Sequence, residues 1–213
     1  MILLNLGCGD VRPPSPWINV DNLADVLDDR TYGFEIILDR LKGEDNYFHM
    51  DMRKRDWPWP DNSVDGIASH HCFEHFDAVD LQEVLKECYR ILKPGGVLRC
   101  SVPDASYFRQ VHTEDNHANA VRLFGEPILH PEYATMMGWA LFLYQDHRQV
   151  FTEDSLWCTL VNRECPRAGS FAPEDVVRAQ FKQTTRPGHY CAEHVAQIER
   201  RAEYSLIMEA FKS

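Results

Sequence analysis

The chain opens with Met1-Ile2-Leu3-Leu4-Asn5-Leu6-Gly7-Cys8-Gly9-Asp10, and this stretch decides the fold. Its apolar run predicts a short buried strand, and Gly7 and Gly9 predict a sharp turn where that strand ends. Two glycines one residue apart let backbone N–H groups approach a ligand where a Cβ atom would intrude. At the carboxyl end of a parallel strand such a turn is typical of a nucleotide-like cofactor site, although a plain tight turn has the same pattern.

A second strand is predicted at residues 17–20, and it ends on Asp21. The prolines between Gly9 and this strand leave no room for a crossover helix, so we expect a bare loop to connect the two strands. A carboxylate beside a glycine turn can accept hydrogen bonds from both hydroxyls of a ribose. Asp21 is therefore the candidate ribose-binding residue, with a helix cap as the alternative role.

Two further predicted strands end in polar residues. A third strand at residues 46–50 delivers Asp51 and Met52, and Asp51 could accept a hydrogen bond from an adenine amino group or simply be solvated. A fourth strand at residues 63–69 delivers the polar stretch 69–71. Ligands of parallel sheets bind at the carboxyl ends of the strands. The convergence of these strand ends therefore predicts one site.

The remaining pattern alternates helices and strands. Helices are predicted at residues 32–41, 78–92, from Thr152 onward and at 193–201, and further strands at 97–103, 175–181 and 203–210. This alternation predicts an α/β fold with a Rossmann-like, doubly wound, mostly parallel sheet of about seven strands. We expect a single domain over residues 1–213, with a cofactor-binding half at 1–104 and a C-terminal part at 151–213.

Residues 105–150 interrupt this rhythm with an aromatic and histidine-rich insertion. It predicts either a helical cap packed on the sheet or a lid that also covers the site. If the insertion lines an acceptor pocket, its candidate substrate-binding residues are Tyr107, Trp139 and Tyr144, with His147 beside them.

Composition excludes several classes of partner. The formal net charge of −11 disfavours long-range attraction to nucleic acid or anionic membranes. No apolar run approaches the length of a membrane helix, and no cationic leader is expected at the first residues. The seven cysteines are scattered without a paired-ligand spacing, which predicts reduced thiols in a cytoplasmic protein and no zinc site. Oligomeric state is left open.

Together these stretches resemble the class I S-adenosylmethionine-dependent methyltransferases, especially the type 11 methyltransferase domains. The segments that carry the resemblance are the glycine motif at residues 4–9, the strand at 17–21, the fourth-strand signature at 59–75, and the segment 90–104 with Arg90-Ile91-Leu92-Lys93-Pro94-Gly95-Gly96. The tail at residues 203–210 is similar to the family's final strand, which is antiparallel. The family's usual helix after the glycine motif is missing here.

The resemblance implies a cofactor, S-adenosylmethionine, and the product S-adenosylhomocysteine. It also implies cofactor contacts: the methionine moiety at Gly7, Cys8 and Gly9, the ribose at Asp21 with Asn22, the adenine at Asp51 and Met52, and the sulfonium side at Ser69 and His70. The expected reaction is methyl transfer to oxygen or nitrogen of a small-molecule or glycan-type acceptor, and the acidic composition argues against nucleic acid as acceptor.

A general base is needed only if the acceptor arrives protonated, and His71 and His147 are the candidates. No metal is expected, because neighbouring histidines on a strand point to opposite faces. Three alternatives stay open: a non-catalytic cofactor-binding module, a polyamine-synthase-like use of the fold, and a nicotinamide-dependent dehydrogenase. The last is disfavoured because Arg12 stands where the dinucleotide fingerprint has its third glycine.

Overall fold

The computed structural model describes residues 1–9, 11–22, 46–111, 147–162, 170–186, 192–199 and 203–213. Seven strands run through these ranges: β1 (Leu3–Leu6), β2 (Trp17–Asp21), β3 (Tyr47–His49), β4 (Val64–His70), β5 (Leu92–Pro103), β6 (Val176–Arg178) and β7 (Ser205–Phe211). The described α-helices are α1 (Ala78–Ile91), α2 (Ala105–Val111), α3 (Glu153–Val161) and α4 (Ala192–Ile198). Single 3-10 turns occur at Phe73–His75 and Pro173–Asp175.

The strands form one sheet in the order β3-β2-β1-β4-β5-β7-β6. The pairs from β3 through β5 are parallel, and β7 runs antiparallel to both β5 and β6. This topology confirms the predicted mostly parallel Rossmann-like sheet with an antiparallel last strand. Because β1, β2, β3 and β4 are parallel, their carboxyl ends lie at one edge of the sheet.

Helices cover both faces of the sheet. The larger apolar cluster contains Leu4 and Leu6 of β1 together with buried side chains of α1 and α3, such as Leu85 and Leu156. A smaller cluster on the other face joins Leu3 to Ile198 of α4. The alternation of β1 side chains between two apolar layers explains its three leucines, as expected of a buried parallel strand. The fourth residue, Asn5, is buried and donates a hydrogen bond to Asn19 Oδ1 at 3.0 Å.

Most predicted elements are confirmed, including the loop connection into β2, where residues 11–16 form no helix. The helix that begins after Thr152 is also confirmed, since the Thr152 side chain accepts a hydrogen bond from the Ser155 N–H in a capping box. The predicted helix at 32–41 lies outside the described residues.

Three strands differ from the prediction by two or more residues at one end. β5 begins at Leu92 rather than at residue 97, because Leu92 already pairs with Val64 as soon as α1 ends. β6 is shorter than predicted, with only three residues paired to β7. β7 begins at Ser205 and extends to Phe211, which pairs with Val97.

Buried thiols belong to this core. None of the five described cysteines forms a disulfide. Burial raises the pKa of the Cys100 thiol to about 12, so this thiol stays protonated at neutral pH.

Within the described ranges, no helix has both the length and the apolar character needed to span a membrane.

Candidate cofactor and active site

The glycine turn links the end of β1 to the end of β2. Gly7 has φ of +66°, and its N–H donates to the Val20 carbonyl at 2.9 Å. A Cβ atom at Gly7 would lie 2.3 Å from the Cys72 sulfur, so a side chain has no space there. Cys8 N–H also donates to the Val20 carbonyl, at 3.3 Å. The turn is therefore a tight junction between two strand ends.

Asp21 lies directly beside this turn. Its Oδ2 accepts a hydrogen bond from the Gly9 N–H at 2.8 Å. Only 9% of the residue is exposed. Burial raises the pKa of the carboxyl group, against the opposing effects of the Gly9 and Asn22 N–H groups and of the Arg12 charge. The structure thus brings together the predicted glycine turn and the predicted ribose-binding carboxylate, with Asn22 next to them.

Arg12 and Tyr47 support the same turn, and no sequence pattern indicates this role. Arg12 Nε donates to the Gly9 carbonyl at 2.9 Å, and its guanidinium carbon lies 5.5 Å from the centre of the Tyr47 ring. The Tyr47 hydroxyl in turn donates to the Asp21 carbonyl at 3.0 Å. A cationic side chain therefore takes the place of the third glycine of a dinucleotide fingerprint.

The end of β3 carries Asp51 and Met52. Met50 N–H donates to the Asp21 carbonyl at 3.0 Å, which keeps this strand end beside that of β2. The Asp51 carboxylate is engaged on both oxygens by Arg53, at 2.9 Å each, and this interaction lowers the pKa of the Asp51 carboxyl. Met52 is buried in the larger apolar cluster. Asp51 is thus an ionised carboxylate, paired with Arg53, near the edge of the sheet.

The end of β4 brings the next predicted residues to the same edge. Ser69 pairs with Leu6 in the sheet, so it lies just before the glycine turn, and it is buried. His70 Nδ1 shares a hydrogen bond with the Ser101 hydroxyl. His71 has φ of +52°, and its N–H donates to the Ser101 carbonyl at 2.8 Å. The left-handed backbone at His71 ends the strand and turns the chain toward residue 74.

Both predicted base candidates lie against one buried carboxylate. His71 Nδ1 is 3.6 Å and His147 Nε2 is 3.9 Å from Glu74 Oε1, and Glu74 is only 1% exposed. His71 Nε2 also shares a hydrogen bond with the Ser205 hydroxyl at 2.7 Å. Glu74 is not among the predicted site residues, because no sequence pattern links it to His147.

The candidate acceptor residues are only partly described. Tyr107 lies on α2, and its hydroxyl donates to Glu203 Oε1 at 2.7 Å, just before β7. This contact gives it an anchoring role between α2 and the last strand. Trp139 and Tyr144 lie outside the described residues.

Comparison with known proteins supports the fold. Residues 4–100, a little under half of the chain, match the family model described as a methyltransferase domain. The chain is thus similar to S-adenosylmethionine-dependent methyltransferases over this segment. The matched segment runs from β1 to β5 and so contains the glycine turn, Asp21 and the end of β4.

Solved structures support the same fold. A SAM-dependent methyltransferase from Archaeoglobus fulgidus is similar with a TM-score of 0.51 and 16% identity, over 99% of this chain and 85% of that chain. A SAM-dependent methyltransferase from Thermotoga maritima, described as a possible histamine N-methyltransferase, is similar with a TM-score of 0.50 and 18% identity, over 100% of this chain and 82% of that chain. At these identities the likeness concerns the fold.

A curated relative matches a shorter segment. Malonyl-[acyl-carrier protein] O-methyltransferase 1 of Coxiella burnetii is 40% identical over 62 residues, which are 28% of this chain and 21% of that protein. The chain thus covers about a fifth of the length of this relative.

The match to a methyltransferase domain implies S-adenosylmethionine as cofactor, and the described residues are compatible with it. The turn is open at Gly9, where an added Cβ atom would have no neighbour within 4 Å, and Asp21 places a carboxylate at the adjacent strand end. A cationic sulfonium is also compatible with the carboxylates of Asp21 and Glu74 at this edge.

Proposed function

We propose that this protein transfers the methyl group of S-adenosylmethionine to an oxygen or nitrogen atom of a small-molecule or glycan-type acceptor. The observation that carries the proposal is the hydrogen bond between Gly9 N–H and Asp21 Oδ2, 2.8 Å, inside the segment that matches the methyltransferase family. It couples the glycine turn to the strand-end carboxylate that the ribose of the cofactor needs.

The proposed cofactor contacts follow the strand ends. Gly7, Cys8 and Gly9 would face the methionine moiety, and Asp21 with Asn22 would accept the ribose hydroxyls. Asp51 and Met52 would hold the adenine, and Ser69 and His70 would line the sulfonium side. This arrangement is supported by the parallel pairing of β3, β2, β1 and β4, which brings all four strand ends to one edge.

The cofactor supplies an electrophilic methyl group, so the protein's own task is to hold the acceptor in line with it and to exclude water. His71 and His147 remain our candidates for removing a proton from an acceptor that arrives protonated. The insertion at residues 105–150 is proposed as the lid over the acceptor.

The acceptor class rests on charge and on one relative. A net charge of −11 offers little attraction to a polyanionic acceptor such as nucleic acid. The curated relative from Coxiella burnetii is named as an O-methyltransferase, which favours oxygen over nitrogen as the nucleophile. A hydroxyl or carboxyl acceptor is therefore the first class to test.

Calorimetric titration with S-adenosylmethionine and S-adenosylhomocysteine tests the cofactor site. We expect micromolar binding by the wild type and a loss of at least tenfold in affinity for Asp21→Ala, because the ribose hydroxyls lose their acceptor. Asp154→Ala, which removes an exposed carboxylate from the first turn of α3, is the matched control and should bind like the wild type. Wild-type protein that binds neither compound would contradict the proposal.

Release of S-adenosylhomocysteine then tests turnover. The wild type is incubated with the cofactor and with hydroxyl, carboxyl, amine and glycan acceptors in turn. We expect release to depend on an acceptor and to fall with Asp21→Ala. Tight cofactor binding without release from any acceptor class would favour the non-catalytic module instead.

A further inference from the structure

Three potential metal ligands converge after β4. Glu74 and His75 belong to the 3-10 turn Phe73–His75, and His147 comes from a distant part of the chain. Each offers one ligand atom, and these atoms all lie within 4.8 Å of one another. Glu74 is 1% and His147 9% exposed, while the rings of His75 and His147 have their centres 4.8 Å apart.

The spacing within this cluster suits a shared ion better than direct pairing. His147 Nε2 lies 3.9 Å from Glu74 Oε1, which is longer than a hydrogen bond. Two ligand atoms that each lie about 2.1 Å from one tetrahedral ion are about 3.4 Å apart. The ligand atoms of the cluster, all within 4.8 Å of one another, would therefore move closer together when an ion binds.

Backbone hydrogen bonds hold the two parts of the cluster together. The N–H groups of Arg148 and Gln149 donate to the Glu74 carbonyl at 2.8 and 3.0 Å. The Gln149 side-chain amide also donates to the Phe76 carbonyl at 2.9 Å. The segment that carries His147 is thus fixed on the turn that carries Glu74, and a ligand set held by rigid backbone needs little reorganisation to bind.

A third imidazole lies beside the same carboxylate. His71 Nδ1 is 3.6 Å from Glu74 Oε1, and its Nε2 shares a hydrogen bond with the Ser205 hydroxyl at 2.7 Å. Such a hydrogen bond on the second ring nitrogen fixes the orientation of an imidazole, as partners outside the ligand shell do in metal sites.

We propose that Glu74, His75 and His147 bind a divalent transition-metal ion such as Zn²⁺. Imidazole nitrogens with one carboxylate favour zinc and its first-row neighbours, whereas Mg²⁺ and Ca²⁺ prefer sites made of oxygen atoms. Three protein ligands leave a coordination position for a further oxygen. The sequence-based expectation of no metal applied strand geometry to neighbouring histidines, but β4 ends at His70, and the 3-10 turn that follows places Glu74 and His75 beside His147.

The position of the cluster indicates what the ion could do. It follows the end of β4, close to Cys72, whose sulfur fills the space over Gly7. An ion at this place would bind an acceptor oxygen and lower its pKa, so that the oxygen is a better nucleophile. This use of the ion rests on the proposed methyl transfer, whereas metal binding itself does not.

Metal titration of the full chain, after removal of bound metal with a chelator, tests the site. Zn²⁺ binding is followed by calorimetry and Co²⁺ binding by its ligand-field absorption, which reports nitrogen and oxygen coordination. We expect one equivalent to bind to the wild type and affinity to fall at least tenfold in Glu74→Gln and in His147→Gln. His49→Gln, which removes an exposed histidine of β3, is the matched control and should bind one equivalent as the wild type does.

Wild-type protein that binds neither ion, or variants that bind both ions as the wild type does, would overturn the proposal. Circular dichroism establishes that each variant is folded. If a buried substitution prevents folding, His75→Gln replaces it, because His75 is only partly buried. Cofactor titration of the same samples separates the two proposals, since metal binding without cofactor binding would contradict methyl transfer alone.

Discussion

Gly7 and Gly9 are similar in sequence but meet different surroundings. Both have positive φ, yet a Cβ at Gly7 would clash with Cys72, whereas a Cβ at Gly9 meets nothing within 4 Å. We expect Gly9→Ala to cost about 1–2 kcal/mol from backbone strain alone. Gly7→Ala adds an overpacking cost of about 1–3 kcal/mol to that strain. Urea unfolding of both variants measures the difference.

The double variant Gly7→Ala/Cys72→Gly identifies the cause. Removing the Cys72 side chain removes both atoms that would lie under 3 Å from the new Cβ. The double variant should therefore lose less stability than the sum of the two single variants. Additive losses would show that the clash does not limit Gly7.

The buried carboxyl group of Asp21 makes the free energy of unfolding depend on pH. Its pKa is raised above the ordinary 3.8, mainly because burial disfavours the charged form. The folded state therefore holds the proton more tightly than the unfolded state, and the wild type loses stability as pH rises through the raised pKa. Asp21→Asn does not titrate. We expect urea unfolding to show that the wild type becomes less stable relative to Asp21→Asn from about pH 4 to about pH 7. A constant difference across that range would contradict the raised pKa.

At the residue scale the sequence predicted that the glycine turn lies beside Asp21, but it did not predict that Glu74 lies beside His147. Gly7, Gly9 and Asp21 follow strands close together in sequence, so their convergence can be read from the parallel pattern. Glu74 could not be paired with His147, because their contact depends on how a distant segment returns to the sheet edge.

Among the elements, the loop between β3 and β4 is held by α1. Arg90 of α1 donates to the carbonyls of Trp57 and Trp59 at 3.1 and 3.0 Å, and to Glu87 at 2.7 Å. Glu87 accepts from the Trp57 N–H at 3.0 Å. These bonds order a loop whose two tryptophans are buried in the core.

We expect Arg90→Met to lower the free energy of unfolding by about 2–3 kcal/mol, because charge-assisted hydrogen bonds to the loop are lost. Lys86→Met, which removes a cation that pairs with Glu83 on the same helix, is the control and should change stability by less than about 1 kcal/mol. The Arg90 side chain holds the pKa of Glu87 below its ordinary 4.5. The difference between wild type and Arg90→Met should therefore persist above pH 4.5 and shrink as pH falls through the lowered pKa. Equal losses of stability in Arg90→Met and Lys86→Met would contradict the stabilisation of the loop by Arg90.

Element positions were predictable where one local pattern decided them. The helical spacing of apolar residues identifies α1, and the apolar run identifies β1. Neither pattern requires knowledge of the element that packs against it. The start of β5 was misplaced because Lys93-Pro94-Gly95-Gly96 reads as a helix end and loop, whereas pairing of Leu92 with Val64 extends the strand through it. Pairing between strands is a tertiary effect that a local pattern does not contain.

At the scale of the whole molecule, Arg99 joins the C-terminal third to the parallel sheet. Arg99 lies on β5 and is 2% exposed, and it pairs with Glu199 at 2.6 Å and Glu209 at 2.7 Å. It also donates to the carbonyls of Gln180 and Gln183, both at 2.7 Å. One buried cation thus connects β5 with β7, with the loop after β6 and with the residue that follows α4.

Both carboxylates have further donors. Glu199 Oε2 accepts from the Lys182 N–H at 2.6 Å, and Glu209 Oε2 accepts from the Thr185 N–H at 2.8 Å. The network therefore satisfies the buried charges on both sides, which is the condition under which such a cluster can be tolerated in a core. Sequence alone does not reveal it, because its members are separated by most of the C-terminal half.

Removal of the cation should therefore weaken the whole fold. Arg99→Met leaves two buried carboxylates without their counter-charge, and we expect a loss of about 3–5 kcal/mol in the free energy of unfolding. Arg178→Met removes a half-exposed cation that pairs with Glu153, and it should cost less than about 1 kcal/mol. A triple variant without these charges, Arg99→Met/Glu199→Gln/Glu209→Gln, should recover part of the lost free energy of unfolding. In this variant no charge of the network is left buried and unpaired. If urea unfolding gave the same small change for Arg99→Met and Arg178→Met, the network would not hold the C-terminal strands to the sheet.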